Sequence, residues 1–287
     1  MDGIINCYKP EGMTSFDVVA RVRKILHIKK VGHTGTLDPA AAGVLPICVG
    51  KATKLIDFIM QGDKCYRVEM TLGVVTDTYD REGKILSLQS VNVSDEKIKE
   101  AMMKFKGEIM QVPPMYSALK HNGRKLYELA RAGIEVERQP REINIYDLNI
   151  FNIHDNKVLF DVVCSKGTYI RSLCYDIGNE LGCGAMMSNL IRVYSGKFKI
   201  EDSIDINKLN EENIFDHIIS IEKVFDELPQ IKVNSRFKKL FVNGVNIKDK
   251  SFIDDMELSK YRVYNENDTL IGIGEKNNCG FKALLLV

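Results

Sequence analysis

The stretch GHTGTLDP, residues 32–39, decides how this chain is read, because it sets one carboxylate, Asp38, among small residues and one imidazole. Gly32 and Gly35 allow close backbone approach and dihedrals that other residues avoid. Pro39 pushes Asp38 out of the helical region into extended backbone. The carboxylate is therefore expected to project from a stiff loop rather than to cap a helix. His33, Thr34 and Thr36 bring hydrogen-bonding groups to the same turn. A plainer reading of these residues is a surface turn rich in turn-formers. The flanking sequence separates the two.

On the N-terminal side, Ile4, Ile5 and Cys7 read as a short strand and Gly12 breaks the chain. Thr14, with Asp17 three residues on, predicts a helix N-cap. Val19, Val22 and Leu26 mark the apolar stripe of that helix, with Arg21, Arg23 and Lys24 mostly off it. Lys29 and Lys30 carry the basic segment into the loop, as a solvated face or a phosphate-contacting one. On the C-terminal side GVLPICVG reads as a buried run, and KATKLIDFIM as a helix stopping at Gly62. Residues 43–51 superficially look like a nucleotide phosphate loop. Their glycines are too far apart, and Ala52 stands where that motif needs Ser or Thr.

Further out, Tyr66, Val68, Met70 and Leu72 alternate with Arg67, Glu69 and Thr71, the period of a half-buried strand. Gly73 and TDTYDREG end it, and Ser94 can cap a helix carrying Ile98, Ala101, Met102 and Phe105. Residues 113–141 differ in character. Lys120, Arg124, Lys125, Arg131, Arg138 and Arg141 interleave there with Tyr116, His121 and Tyr127. That pattern predicts a basic, partly helical excursion suited to phosphates and stacked bases; an exposed hairpin with no partner is the alternative. A strand near 158–164 precedes SKGTYIR and a helix that stops at Gly182, and a further strand near 190–198 closes the core. From about Pro229, short apolar runs between polar turns predict a small, mostly β module.

Composition bounds the answer. A chain of 287 residues with 45% hydrophobic content supports one large domain and a small one. The net charge of +1 means that any nucleic-acid surface must come from local segregation of charge. Seven cysteines show no CxxC pair or metal-ligand spacing, and MDGIINCYKPEG lacks the features of an export signal. No run is long enough for a membrane span. Free thiols in a reducing cytoplasm, with no membrane partner, are the expectation.

The loop and its continuation, GHTGTLDPAAAGVLPICVGKATKL, resemble the signature of the TruB-type tRNA pseudouridine synthases. The likeness continues in the strand beginning at Tyr66 with its GVVTDTYDREG tail. It extends through PPMYSALKHNGRKLYELARAGIEVERQPRE and CSKGTYIRSLCYDIGNELGCGA. It spans most of residues 1–228, while 229–287 look like a PUA-type RNA-binding domain. The resemblance implies an α+β pseudouridine synthase fold: a mixed, mostly antiparallel sheet flanked by helices, then the β-rich module. Carried over, the family's catalytic aspartate falls on Asp38, its loop histidine on His33 and its base-stacking aromatic on Tyr66. The arginine that pairs with the aspartate falls on Arg171, and the apolar pocket residue on Leu190. The implied reaction turns uridine 55 of the tRNA T-loop into pseudouridine, without metal or cofactor. A standalone monomer is expected. RNA contacts are expected from Arg21, Lys24, Lys29, Lys30, Lys120, Arg124, Lys125, Arg131 and Arg141.

That isomerisation breaks the N1–C1′ bond, turns the base and joins C5 to C1′, with nothing oxidised and no group imported. One carboxylate can act as nucleophile or as base, and a dry pocket keeps water from the detached base. Burial alone would leave such an acid protonated, so a guanidinium beside it is required. The target base must be everted at a cost of a few kcal/mol, of which stacking on Tyr66 would recover about 1–3 kcal/mol. Taken singly, Tyr66 and Leu190 read as core, Arg171 as a surface strand-end arginine and His33 as a turn residue. Three other readings remain: a catalytic subunit of a guide-RNA-dependent synthase of the dyskerin type, a non-catalytic tRNA-binding or folding protein, and a glycoside or nucleoside hydrolase. The excursion at 113–141 favours a standalone enzyme, and the signature loop holds no second acid for a hydrolase.

Overall fold

The computed structural model describes residues 2–287. The strands of the larger unit are β1 (Gly3–Lys9), β2 (Val31–His33), β3 (Ala42–Val49), β4 (Lys64–Leu72), β5 (Val74–Thr76), β6 (Ile85–Leu88), β7 (Gly107–Gln111), β8 (Lys120–His121), β9 (Arg124–Lys125), β10 (Arg141–His154), β11 (Lys157–Cys164), β12 (Ala185–Ser195), β13 (Phe198–Lys199), β14 (Ile204–Asp205) and β15 (Ile218–Ile219). Its helices are α1 (Ser15–Leu26), α2 (Ile56–Ile59), α3 (Asp95–Met103), α4 (Leu126–Arg131), α5 (Ile170–Glu180) and α6 (Ile221–Val224). The C-terminal part adds strands β16 (Gln230–Lys232), β17 (Lys260–Tyr264), β18 (Leu270–Asn277) and β19 (Gly280–Leu286), with helices α7 (Ser235–Val242) and α8 (Lys250–Ile253).

The main sheet runs β14-β1-β3-β12-β4-β11-β10-β7, with β2 on β3 and β15 on β1. It is antiparallel except where β3 meets β12 and β1 meets β14. The alternation of side chains explains the layers. On β1, Ile5 and Cys7 face one core while Ile4 faces another. On β3, Leu45, Ile47 and Val49 face the first core, Val44 and Cys48 the second. A strand covered on both faces reads as an unbroken apolar run, which is why GVLPICV shows no alternation. β4 is covered on one face: Tyr66, Val68, Met70 and Leu72 point into the first core. Opposite them, Arg67 and Glu69 pair with Asp161 and Lys157 of β11.

Helices α1, α3 and α5 close the first core through Val18, Val19 and Val22, Ile98 and Met102, and Leu173, Cys174 and Ile177. α1 starts with a reciprocal capping box, Asp17 N–H donating to Thr14 Oγ1 (3.1 Å) and Thr14 N–H to Asp17 Oδ2 (2.8 Å). Such a cap contributes about 1 kcal/mol and fixes where the helix begins. The second core joins β1 and β3 to the C-terminal sheet through Ile273 and Leu285. That sheet, ordered β16-β17-β18-β19, packs α7 and α8 on its other side through Phe237, Phe241 and Phe281. The C-terminal part is thus a four-stranded sheet with two helices, mostly β as expected.

Two local expectations differ from the structure. KATKLIDFIM is mostly a tight 3₁₀ turn over Gly50–Leu55 followed by the four residues of α2. The strand expected near 190–198 begins earlier, at Ala185: Ala185 and Met187 alternate into the first core, and the bulge between Met187 and Asn189 returns Leu190 to the same face. Among the described residues no helix is long and apolar enough to cross a membrane. All seven cysteines are free, with Cys279 alone exposed.

Candidate active site

The loop between β2 and β3 is tied down almost residue by residue. Thr34 N–H donates to the Pro46 carbonyl (3.1 Å). Ser15, at the start of α1, exchanges hydrogen bonds with Leu37: its Oγ donates to the carbonyl (3.1 Å) and accepts from the N–H (2.8 Å). The Asp38 carbonyl accepts from Ala41 N–H (3.0 Å), and Gly12 N–H donates to the Pro39 carbonyl (2.8 Å). Lys9, fully buried, donates from Nζ to the carbonyls of Met13 (2.6 Å), Pro10 (2.9 Å) and Pro39 (3.3 Å). Burial drives the Lys9 ammonium down to about 8 from its usual 10.5, against the pull of Asp38. Gly35 takes φ +121°, a conformation that L side chains rarely adopt.

Asp38 projects from this loop into a cleft of about 650 Å³ whose lining includes Tyr66, Asp80, Tyr169, Arg171, Leu190 and Arg192. Arg171 Nε lies 3.0 Å from Asp38 Oδ2. The arginine side chain is 7% exposed and that of Asp38 is 38% exposed. The acid therefore sits at the mouth of the cleft. The carboxylate is thus less enclosed than the dry pocket expected from the sequence, while its guanidinium partner is buried. Arg171 itself is no surface strand-end residue. It stands in the first turn of α5 and is held from three sides: Nη2 donates to the Tyr116 carbonyl (2.9 Å), Nη1 to the Thr78 carbonyl (3.3 Å), and Nη1 lies 3.6 Å from Asp80 Oδ2.

Tyr66 is 8% exposed and Leu190 is 6% exposed, both with a face on the cleft. Their strands are neighbours, Leu190 pairing with Val68 and Arg192 with Tyr66. Burial pushes the Tyr66 phenol upward, and the Arg192 charge opposes that. His33 does not line the cleft. It ends β2, half-buried, with Nδ1 buried and unpartnered, and burial followed by the Arg192 charge pushes its imidazole downward.

Among the basic residues, Lys24, Lys29, Lys30, Lys120, Arg124, Arg131 and Arg141 are exposed, and Lys125 is half-buried. Arg21 donates to Asn207 Oδ1 (3.2 Å) and to the Asn207 carbonyl (3.1 Å). Residues 113–141 fold as a β8–β9 hairpin followed by the short α4. Arg131 and Lys125 sit over the Tyr127 ring, 5.6 and 5.4 Å from its centroid, and Tyr127 and Arg131 reach the cleft.

Sequence reasoning missed Lys9, Asp80 and Arg192. Asp80 is 7% exposed and brings a second acid to the cleft. Its carboxylate accepts from Thr78 Oγ1 (2.6 Å) and Glu82 N–H (3.0 Å) besides facing Arg171. An anion so committed is a support for the arginine, not a free partner for water. The only signal for it was its place in TDTYDREG, which reads equally as a turn.

A mixed sheet offering a loop carboxylate, a buried guanidinium and an aromatic face to one cleft is the arrangement of the pseudouridine synthases. Two solved structures superpose on nearly the whole chain. One is the Cbf5-Nop10-Gar1 complex, with TM-score 0.70, 31% identity, and coverage of 95% of this chain and 78% of the other. The second is an H/ACA RNP bound to a substrate RNA containing 2′-deoxyuridine, with TM-score 0.69, 28% identity, and coverage of 99% and 84%. The chain belongs to the TruB family of pseudouridylate synthases: its N-terminal family model matches residues 23–170, and the tRNA pseudouridylate synthase B C-terminal domain matches 171–226. Similar proteins include tRNA pseudouridine synthase B of Clostridium acetobutylicum, 57% identical over all of both chains. That of Clostridium novyi is 54% identical over 98% of each.

Proposed function

We propose that this chain isomerises uridine to pseudouridine in tRNA, acting on the T-loop at position 55, with Asp38 as the reacting acid. The observation that carries the reading is the Asp38–Arg171 pair at the mouth of a cleft faced by Tyr66 and Leu190. An everted uridine entering there covers the exposed part of Asp38, and its base lies between the phenol ring and the leucine. Cleavage of N1–C1′ leaves the electron pair on the base; after the base turns, C5 bonds to C1′, C5 loses its proton and N1 gains one. Asp38 assists at the ribose, and Arg171 keeps its carboxylate aimed. His33, on the rim strand, takes a place in the RNA loop rather than at the reacting atoms.

The exposed cations of 113–141 and Lys24, Lys29 and Lys30 grip phosphates, residues 1–228 form the catalytic domain, and 229–287 form a PUA-like second RNA contact. The excursion lets the enzyme work as a monomer on bare tRNA, without guide RNA or protein partner. The free thiols suit a reducing cytoplasm. Incubation with an unmodified tRNA transcript, followed by mapping at nucleotide resolution, tests this. The expected result is conversion at the single T-loop uridine, abolished in Asp38→Asn while tRNA binding survives. Conversion only elsewhere, or an undiminished rate in Asp38→Asn, overturns it.

A further inference from the structure

Arg192 is the bulkiest fully buried side chain of the described residues, at 1% exposure. It stands on β12 at the middle of the sheet, paired with Gly43 of β3 on one side and Tyr66 of β4 on the other. Its assigned hydrogen bonds go to carbonyls: Nε donates to Val44 (2.7 Å) and Nη2 to Gly35 (3.1 Å). No carboxylate of the described residues forms an ion pair with it, although Arg171, on the same cleft, has two. Its charge is felt around the site, pressing down on His33, Lys9 and Lys64.

A desolvated cation without a counter-ion is costly, and an apolar residue of similar size would serve the core better. Stability alone therefore gives no reason for an arginine here. What an apolar residue lacks is the planar fork. One arm of that fork holds β3, another the carbonyl three residues before Asp38, and the guanidinium lies beside the Tyr66 phenol and reaches the cleft. We propose that Arg192 is a positioning residue of this site, locking the Asp38 loop to β3 beside Tyr66 so that the acid and the base-facing ring keep one separation. The proposal rests on the reading of the cleft as the uridine site.

Steady-state kinetics on an unmodified tRNA transcript test it, with Arg192→Lys and Arg192→Gln beside the wild type. Lysine keeps the charge without the fork; glutamine keeps a donor without the charge. The expected result is a folded Arg192→Lys whose kcat falls about 10- to 100-fold, in the range of losing one hydrogen bond from a charged group. Its KM and tRNA affinity stay within about twofold of wild type. Arg192→Gln should fall at least as far. Wild-type kcat in folded Arg192→Lys overturns the proposal, as does a loss confined to KM. Unfolding of both variants overturns it too, because the residue would then serve the core. Should wild type leave tRNA uridines unconverted, the uridine-site reading fails first; an active wild type with silent Asp38→Asn and unimpaired Arg192→Lys removes only the role of Arg192.

Discussion

The loop at 32–39 and the excursion at 113–141 meet at one cleft and are built on opposite plans. The loop is short and cross-braced: Pro46, Ser15, Gly12, Lys9 and Arg192 each hold part of it from a different element. The excursion is long and largely self-referential. Its Tyr127 N–H bonds Ser117, its Leu126 N–H bonds Leu119, and its Arg138 bonds Pro113. Its strands are two residues each and its helix six. Chemistry at carbon needs placement to a fraction of an ångström, whereas phosphate grip tolerates adjustment. Arg171 is where the plans touch, donating to the Tyr116 carbonyl while pairing with Asp38.

Breaking that junction should have the largest effect. Arg171→Met removes the partner of Asp38 and leaves Asp80 facing an apolar side chain, a loss of about 3–5 kcal/mol for a buried pair. Turnover should fall by at least two orders of magnitude, read as kcat, and the thermal midpoint should drop with it. The wall of the cleft comes next. Tyr66→Phe keeps the ring and should keep tRNA affinity, while Tyr66→Leu should weaken it by about 1–3 kcal/mol in an equilibrium binding assay. Equal affinities for the two variants would remove stacking from the account. Neutralising Lys120, Arg124 and Arg131 together should weaken binding and flatten the dependence of log K on log salt, while kcat at saturating tRNA holds. A fall in kcat of the same size would erase the contrast between grip and chemistry.

The smallest effect lies away from both regions. Asp176 of α5 is pushed up by burial to about 6 from 3.8. Its folded-state pKa thus exceeds the unfolded one, so the folded chain holds the proton more tightly. Stability from this group is present below about pH 4 and is lost as pH rises to about 6. Asp176→Asn should therefore stabilise the fold by about 1–2 kcal/mol at pH 7.5, allowing for partial exposure, and by little at pH 4. Thermal melts at the two pH values check it.

What could be read from the sequence follows the same division. The loop was legible because its constraints are contiguous: glycines, a proline and one acid in eight residues. The capping box and the strand at Tyr66 were legible because they repeat a local period. Arg192, Lys9 and Asp80 were not, since each reaches the site across the sheet or from another loop, and nothing near them in sequence marks that arrival. The contact made by Arg21 was hidden for the same reason. A charge on a helix face reads as free until the fold brings Asn207 against it. Leu190, plain core by its own pattern, was picked out by family likeness alone.

Where β3 runs alongside β12, the backbones come so close at Gly43 (φ +113°) that a methyl group there would stand 2.3 Å from the Arg192 carbonyl oxygen. No side chain can be inserted at that seam to act as a spacer. The gap between the arm bearing the acid and the arm bearing the arginine is consequently measured out in main-chain atoms. A single added carbon at that glycine would throw it out of gauge.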